Sequence, residues 1–475
     1  MADEQTSWWT RPCGGRDVLR VALPLVISTG FFSLMLFVDR LFLFWHSKQA
    51  MAAAMPAGML HWTMVCFPIG VATYANTFVA QYHGAKRPER IGATIGQAAW
   101  LGVLVTPLFL LAIPLAPWLF HAAGEEPIVR HYEIVYFRIL TLGSGAAVIS
   151  GAVSTFFTGR GETRIVMLTD VSATLINAVL DYALIFGKFG LPELGMAGAA
   201  WATVASHWFK LVIYWWLIHR GENATIYQLR AGRRLDWPLI WRMVRYGAPS
   251  GLQMLVEGSA FTLVLMKMRG LGTDAMTATT VALSINSVAF IPLVGLSIAV
   301  STLVGQRIAQ GQPELAARTT WSALTLGLFY TGAFGVLYLI VPDVLLAGYA
   351  MGGDPVEYAQ VRAVTIVLLR FGAAFCLFDA IQMVFVGAIK GAGDTWYVLI
   401  ATIVVSCAGV IVGWIGSAAG GGLYWWWTVI TLWTWAQATA YAIRFLQGRW
   451  RTMRVIEYEP EPKLDDESTP QLEAV

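Results

Sequence analysis

Twelve apolar segments follow one another along the chain, near residues 18–44, 54–81, 92–119, 132–157, 163–186, 195–218, 240–268, 276–308, 317–346, 359–388, 395–418 and 423–446. Each approaches or exceeds the roughly 20 residues that a helix needs to cross the hydrocarbon core of a bilayer. A backbone in lipid must satisfy its own hydrogen bonds, so a chain of such segments is expected to fold as an all-α bundle of transmembrane helices. The composition agrees: 57% of residues are hydrophobic and 13% charged, where a soluble protein carries about 25% charge. The many glycines and tryptophans suit close helix contacts and interfacial belts, as in "LYWWWTVITLWTW" (423–435). Cys13, Cys66, Cys376 and Cys407 lie far apart, with neither metal-ligand spacing nor a disulfide framework. No basic face points to nucleic acid. The polar first seventeen residues lead into a long apolar segment without a cleavage site, which reads as a retained first helix.

The loops set the expected orientation. Those after even-numbered segments carry Lys86, Arg87, Arg90, Arg160, Arg220, Arg230, Arg233, Arg234, Arg307, Arg318 and Lys390, and the tail adds Arg449, Arg451 and Arg454. Those after odd-numbered segments hold Lys48, Arg130, Lys188 and Arg269. The positive-inside bias places both termini in the cytoplasm. The division expected is a tail over 1–17, a first lobe of six helices over 18–219, a loop over 220–239, a second lobe over 240–446, and an acidic tail over 447–475. The loop should end in a basic amphipathic stretch with Trp237 and Trp241 lying along the membrane surface. The tail beyond Val455 reads as disordered.

An internal repeat supports the halves. "LPLVIS" with Pro24 matches "APSGLQ" with Pro249, and at the same offset "QYHGAKRPE" (81–89) matches "QRIAQGQPE" (306–314). At a slightly longer offset Arg138 matches Arg370, and "TGRGET" (158–163) matches "KGAGDT" (390–395). Two offsets kept in order imply six helices followed by six in parallel orientation. They are expected to be related by pseudo-twofold symmetry, an arrangement used by alternating-access transporters.

The acids within these segments need an explanation, since a carboxylate at the bilayer centre costs roughly 2.5–3.5 kcal/mol on an insertion scale. Asn177 and Asp181 stand four residues apart on one face, which Thr174 and Asp170 extend. Asp39 is a second acid and Thr203 a hydroxyl in the same half; together they offer oxygen donors suited to a hard cation. A single Asn or Thr would more often be a packing hydrogen bond, but two acids in one half favour function. Glu257 and Asp379 are acids of the second half whose repeat counterparts are Phe32 and Ala147, so duplication does not explain them. The bland reading is a pair of carboxyls hydrogen-bonded to Gln253 and Gln382. Pro24 should bend the first helix. His61 and His207 have no metal-ligand spacing. No nucleophile or nucleotide-binding motif appears, and an enzyme is not expected.

The order "LPLVIS…FVDRLFL", "AQYHGAKRPERIG", "GRGETRIVMLTDVSATLINAVLDYALIFG", "GMAGAAWATVAS", "YGAPSGLQMLVEGSAF", "VGQRIAQGQPELAAR" and "VGAIKGAGDT" resembles the multidrug and toxic compound extrusion (MATE) family over about residues 18–446. The resemblance implies a twelve-helix antiporter. It implies that Asp39, Asn177, Asp181 and Thr203 form a cation or proton site, Asp39, Asn177 and Asp181 being the Na⁺ ligands if Na⁺ is the coupling ion. It also implies that Glu257 and Asp379 are second-lobe acids serving ion or substrate. The chain departs from the family after Asp39, where Arg40 either lowers the acid's proton affinity or points to the headgroups. The function expected is export of amphipathic organic cations from the bacterial inner membrane, driven by Na⁺ or H⁺, by a monomer with no cofactor beyond the transported ion. The alternatives are a lipid-linked or polysaccharide flippase of the same superfamily, with a cationic cavity, and a receptor or scaffold that transports nothing.

Overall fold

A computed structural model describes residues 7–122, 127–346 and 355–457, almost all of them helical. Twelve long helices follow in order: α1 (Gly15–His46), α2 (Lys48–Thr73, continued by Ala75–Gly84), α3 (Glu89–Ala112), α4 (Pro127–Thr158), α5 (Thr163–Phe186), α6 (Met196–His219), α7 (Trp237–Arg269), α8 (Thr273–Ala309), α9 (Pro313–Ile340), α10 (Pro355–Ala392), α11 (Thr395–Ala418) and α12 (Leu423–Leu446). Their ends follow local chemistry. The Ser47 hydroxyl caps α2 by accepting from the Ala50 N–H, and the Asp236 carboxylate caps α7 by accepting from the Leu239 N–H. Gly187, at φ 63°, closes α5 in the left-handed conformation that glycine adopts without strain. Large apolar side chains face outward, Phe329 with 83% of its surface exposed, as a bundle solvated by lipid requires.

The two six-helix lobes repeat their packing. In the first lobe α1 packs on α5, α2 on α4, α3 on α4, α4 on α6 and α5 on α6; in the second α7 packs on α11, α8 on α10, α9 on α10, α10 on α12 and α11 on α12. The seam obeys the same symmetry, with α1 against α8 and α7 against α2. Close backbone approach holds it. A Cβ on Gly70 of α2 would collide with the Gly251 Cα of α7, and a Cβ on Gly295 of α8 would lie 2.6 Å from the Val26 nitrogen of α1.

Among the described residues the lobes share a buried core at one end only. One buried cluster joins both around Phe78, Tyr82, Ile308 and Ile389, at the end that bears the termini. At the opposite end the clusters are separate, one around Phe120, Phe137 and Met196, the other around Val264, Phe375 and Trp427. Hydrogen bonds across the seam are concentrated at the terminal end. Asn76 donates to Thr302 (3.0 Å), the Tyr74 hydroxyl to the Lys390 carbonyl (3.0 Å), Gln81 to the Gly391 carbonyl (3.0 Å) and Gln306 to the Gly159 carbonyl (2.8 Å). The bundle is closed at the terminal end and parted at the other.

Three expectations need correction. Trp237 and Trp241 do not form a separate surface helix: they belong to the first turns of α7, which runs unbroken to Arg269 because Pro238 occupies its first turn, where a missing N–H breaks no bond. Lys390 is not in a loop but in the last turn of α10. The tail is folded as far as Glu457; the remainder of the segment expected to be disordered lies outside the described residues.

The ordered tail forms a strap across the seam. Trp450 is buried and stacks on Phe445 of α12 with ring centroids 4.7 Å apart, and Arg451 pairs with Glu314 of α9 at 2.7 Å. Val455 then donates its N–H to Gln81 of α2 (2.8 Å). The Glu457 carboxylate accepts from Arg242 of α7, from Tyr82 (2.8 Å) and from Arg90 of α3 (3.4 Å). Burial disfavours the Glu457 carboxylate, but the hydrogen bond from Arg242 and the neighbouring donors outweigh it and hold the group at about 2, below the ordinary 4.5. The docked strap binds the carboxylate form, so its contribution is complete above pH 4.5 and is lost as pH falls toward 2. Glu457→Gln should therefore loosen the closed end at neutral pH. A cysteine placed at buried Ala80 should then react several-fold faster with a membrane-permeant thiol reagent than the same cysteine does beside an intact Glu457, both measured at neutral pH, where the thiolate fraction is the same.

Candidate cation site

The tight turn before α5, with Gly161 at φ 82°, and the left-handed Gly187 after it fix the register of one polar face. Asn177 and Asp181 lie on that face, both fully buried. Asp39 stands seven residues before the end of α1, Asp181 five before the end of α5 and Thr203 seven after the start of α6. At 1.5 Å per residue all three sit roughly 10 Å below the parted end, and the packing of α1, α5 and α6 brings them together. With its nitrogen turned toward the acids, Asn177 donates to Asp39 Oδ1 at 3.0 Å and to Asp181 Oδ2 at 3.2 Å. The Thr203 hydroxyl lies 3.5 Å from Asp39 Oδ2. Asp181 Oδ1 is buried without a hydrogen-bond partner. Arg40, beside Asp39, is exposed.

Two carboxyls against one amide can take up one positive charge. A proton or a small hard cation between them removes a repulsion and a desolvation cost together. The amide serves either case: its NH₂ face bridges the acids, and its carbonyl face can turn to a cation. Among the described residues no group of three His, Cys, Asp or Glu could hold a resident metal ion, and the mixed oxygen set suits an ion in transit.

The second lobe has no copy of this site. Helices α5 and α11 begin at the matching residues Thr163 and Thr395, so Asn177 and Asp181 correspond to Gly409 and Gly413. The space is filled by an indole: a Cβ on Gly413 would collide with the ring of Trp426, which is fully buried. Asp39 corresponds, at the offset that takes Pro24 to Pro249, to Val264, which is also fully buried.

The second-lobe acids instead lie on α7 and α10. Glu257 Oε1 accepts from Gln253 (3.2 Å) and from Gln437 of α12 (3.4 Å), whose own carbonyl accepts from Gln382 (2.7 Å). The bland reading had Gln382 bonding the acid pair directly. The structure gives Gln382 to Gln437, because α12 stands between α10 and Glu257. No hydrogen bond joins Asp379 to Glu257, and none reaches Asp379 from the described residues; its surface is 7% exposed. Lys390 lies in the field of Glu257. His61 bonds to the Ser144 hydroxyl (2.8 Å), a packing role.

The MatE family model matches residues 24–183 and 249–415. The starts of the two matched segments are set apart as Pro24 is from Pro249, and their ends as Arg138 is from Arg370, the two offsets of the internal repeat. The chain belongs to the MATE family. It is similar to multidrug resistance protein PmpM of Pseudomonas aeruginosa, 28% identical over 402 residues that cover 82% of this chain and 80% of that one. It is likewise similar to multidrug resistance protein NorM of Burkholderia vietnamiensis, 28% identical over 380 residues covering 80% and 82%. In fold it matches the outward-facing conformation of a multidrug resistance MATE family transporter of the MOP superfamily, with TM-score 0.82, 19% identity and coverage of 95% and 99%. It also matches a MOP superfamily transporter of Pyrococcus furiosus, with TM-score 0.83, 19% identity and coverage of 95% and 98%. The chain is a transporter of this family and not an enzyme.

In this MATE chain α1 runs through Pro24 as one helix. Proline leaves the Arg20 carbonyl without its helical donor and is where such a helix bends most easily. Pro24→Ala should stiffen α1 and lower the maximal transport rate while leaving ion affinity unchanged. Flux measured against ion concentration checks this, and an unaltered rate would remove Pro24 from the mechanism.

Sequence reading misses Lys210. It lies within α6, and its ammonium is 2.6 Å from Asp170 Oδ1. The signal available is a lone lysine in an apolar segment, with an acid in the preceding segment to match it.

Proposed function

We propose that the protein exports amphipathic organic cations across the bacterial inner membrane in exchange for Na⁺ or H⁺, by alternating access. The observation that carries this reading is the convergence of Asp39, Asn177, Asp181 and Thr203 around a buried carboxylate oxygen that lacks a donor. Loading that site with one positive charge favours one arrangement of the lobes. Unloading at the other face favours its opposite. Asp379, which accepts no hydrogen bond from the described residues, supplies negative charge for a cationic substrate, and Glu257 lies in the same lobe with Lys390 in its field. The multidrug resistance names of the relatives agree with an amphipathic substrate class.

The loop charges place the terminal-bearing end in the cytoplasm, so the arrangement described above is the outward-facing one. One chain contains both lobes, and it acts as a monomer with no cofactor beyond the transported ion. The flippase alternative calls for a strongly cationic cavity, whereas Lys210 is paired with Asp170 and Lys390 lies in the field of Glu257.

The test is efflux of a cationic dye from proteoliposomes with a Na⁺ gradient and a proton gradient imposed separately. Either gradient driving uphill efflux supports the reading. If neither does, coupling is absent and the scaffold alternative stands.

A further inference from the structure

The three helices that build the cation site carry a second polar layer nearer the closed end. Ser28 stands eleven residues before Asp39 on α1, and Asp170 eleven before Asp181 on α5, while Lys210 stands seven after Thr203 on α6. The displacement is roughly 10–16 Å along the bundle. The Ser28 hydroxyl donates to Asp170 Oδ2, and Lys210 lies 2.6 Å from Asp170 Oδ1, an ion pair rather than an aligned hydrogen bond. The side chains of Asp170 and Lys210 are 16% and 23% exposed. Between the layers the Thr174 hydroxyl donates to the Phe31 carbonyl (3.4 Å), again joining α5 to α1.

The layer has a fixed part and a releasable part. Separating Asp170 from Lys210 would strand a charge within the span, which is costly. Separating Ser28 from Asp170 loses one hydroxyl bond and strands no charge, because Lys210 stays on the carboxylate. The releasable contact lies one helical turn beyond Pro24. It also lies at the seam: the neighbouring Thr29 reaches the Ile291 carbonyl of α8 (3.4 Å), and the Leu25–Val26 backbone lies against Gly295. The turn that leads into α1 is tied to the second lobe, Ser322 of α9 donating to the Cys13 carbonyl (3.0 Å). Beyond Pro24 α1 meets both lobes, α8 at Leu25–Val26 and Thr29 and α5 of the first lobe at Ser28, Phe31 and Asp39.

We propose that Asp170, held by Lys210, is the positioning group that fastens α1 to the first lobe beside the Pro24 hinge, so that occupancy of the Asp39–Asp181 site is transmitted to the seam through release of Ser28. This rests on the reading of that site as the coupling site. Asp170 and Lys210 bind no ion themselves; they set where α1 stands when the ion arrives.

The test uses the full chain in nanodiscs and proteoliposomes, with Cys407, its one exposed cysteine, replaced by serine. Spin labels at F44C, on the outer end of α1, and W118C, on the first lobe, report the position of α1. The probes are added Na⁺ and, separately, a downward pH step. In the parental chain one of them should shift the distance. In Ser28→Ala, the mildest variant, that shift should be lost and maximal dye flux should fall about three- to tenfold, with the half-saturating ion concentration changed less than about twofold. Asp170→Asn combined with Lys210→Met, which leaves no stranded charge, should behave alike. Parental shift and flux in both variants would reduce the layer to an anchor between α5 and α6 and overturn the proposal. A large rise in half-saturating ion concentration at unchanged maximal flux would overturn it differently, by placing Asp170 in the ion site. Asp181→Asn separates the underlying reading: if that variant keeps the ion-induced shift, the Asp39–Asp181 site is not where the ion acts. If it loses the shift while Ser28→Ala keeps it, only the present proposal fails.

Discussion

Asp181→Asn should bring gradient-driven efflux down to the level of liposomes without protein, with expression and thermal stability unimpaired. The asymmetry between function and stability follows from the site. Asp181 is fully buried and one of its oxygens has no donor, so the carboxylate gives the resting fold little and leaves a place for a charge to land. An amide of the same shape keeps the contact with Asn177 and cannot be neutralised by a proton or a cation. Asp39→Asn should do the same, since it removes the other of the two carboxyls whose repulsion and desolvation the incoming charge relieves. Asn177→Ala should be milder, raising the half-saturating ion concentration about tenfold, as expected for loss of one buried hydrogen-bonding partner. Dye efflux at a series of ion concentrations separates the three. If Asp181→Asn transports at the parental rate under either gradient, the first-lobe site is structural.

Most of this arrangement can be read from the sequence, for physical reasons. A helix in lipid must be long and apolar, so twelve spans are countable. A duplicated lobe keeps its spacing, so the offsets that relate Pro24 to Pro249 and Arg138 to Arg370 foretell the packing pairs. The first-lobe site is legible because four-residue spacing on α5 fixes a face regardless of tertiary detail. The misses are tertiary. Lys210 draws no notice in the sequence because its partner, Asp170, stands on the preceding helix at a height that only the packing of α6 on α5 sets. The acidic, proline-bearing composition beyond Val455 reads as disorder, yet Glu457 is held by Arg242 of one lobe and by Tyr82 and Arg90 of the other. Trp237 and Trp241 have the composition of a surface helix, and only the continuation into Arg242 and Met243 shows that α7 already includes them. The replacement of the second acid site by Trp426 over Gly413 is written in the repeat, but nothing in a sequence alone says which residue fills the space that a glycine leaves.

Asp379→Asn and Glu257→Gln should each weaken transport of cationic dyes, by different routes. Two carboxylates sharing one cavity could not both ionise cheaply, and would act as a pair. No hydrogen bond joins these two, so each is argued alone. Glu257 accepts from Gln253 and Gln437 and stands in the field of Lys390, a polar chain tying α7 to α12. Its amide variant keeps acceptor geometry but loses the charge that balances Lys390. The expected result is a lower maximal rate with a modest change in dye affinity. Asp379 has no hydrogen bond from the described residues, and such an acid persists within the span only if it meets a partner during the cycle. A cationic dye is such a partner. Losing one charge-assisted contact of about 2 kcal/mol raises the half-saturating dye concentration roughly thirtyfold, while a neutral amphipathic dye of similar size loses little. That contrast between charged and neutral dyes decides between a substrate role and a structural one: if both variants move cationic dyes at the parental rate under the same gradient, neither acid meets the substrate, and Glu257 only ties α7 to α12 through Gln437.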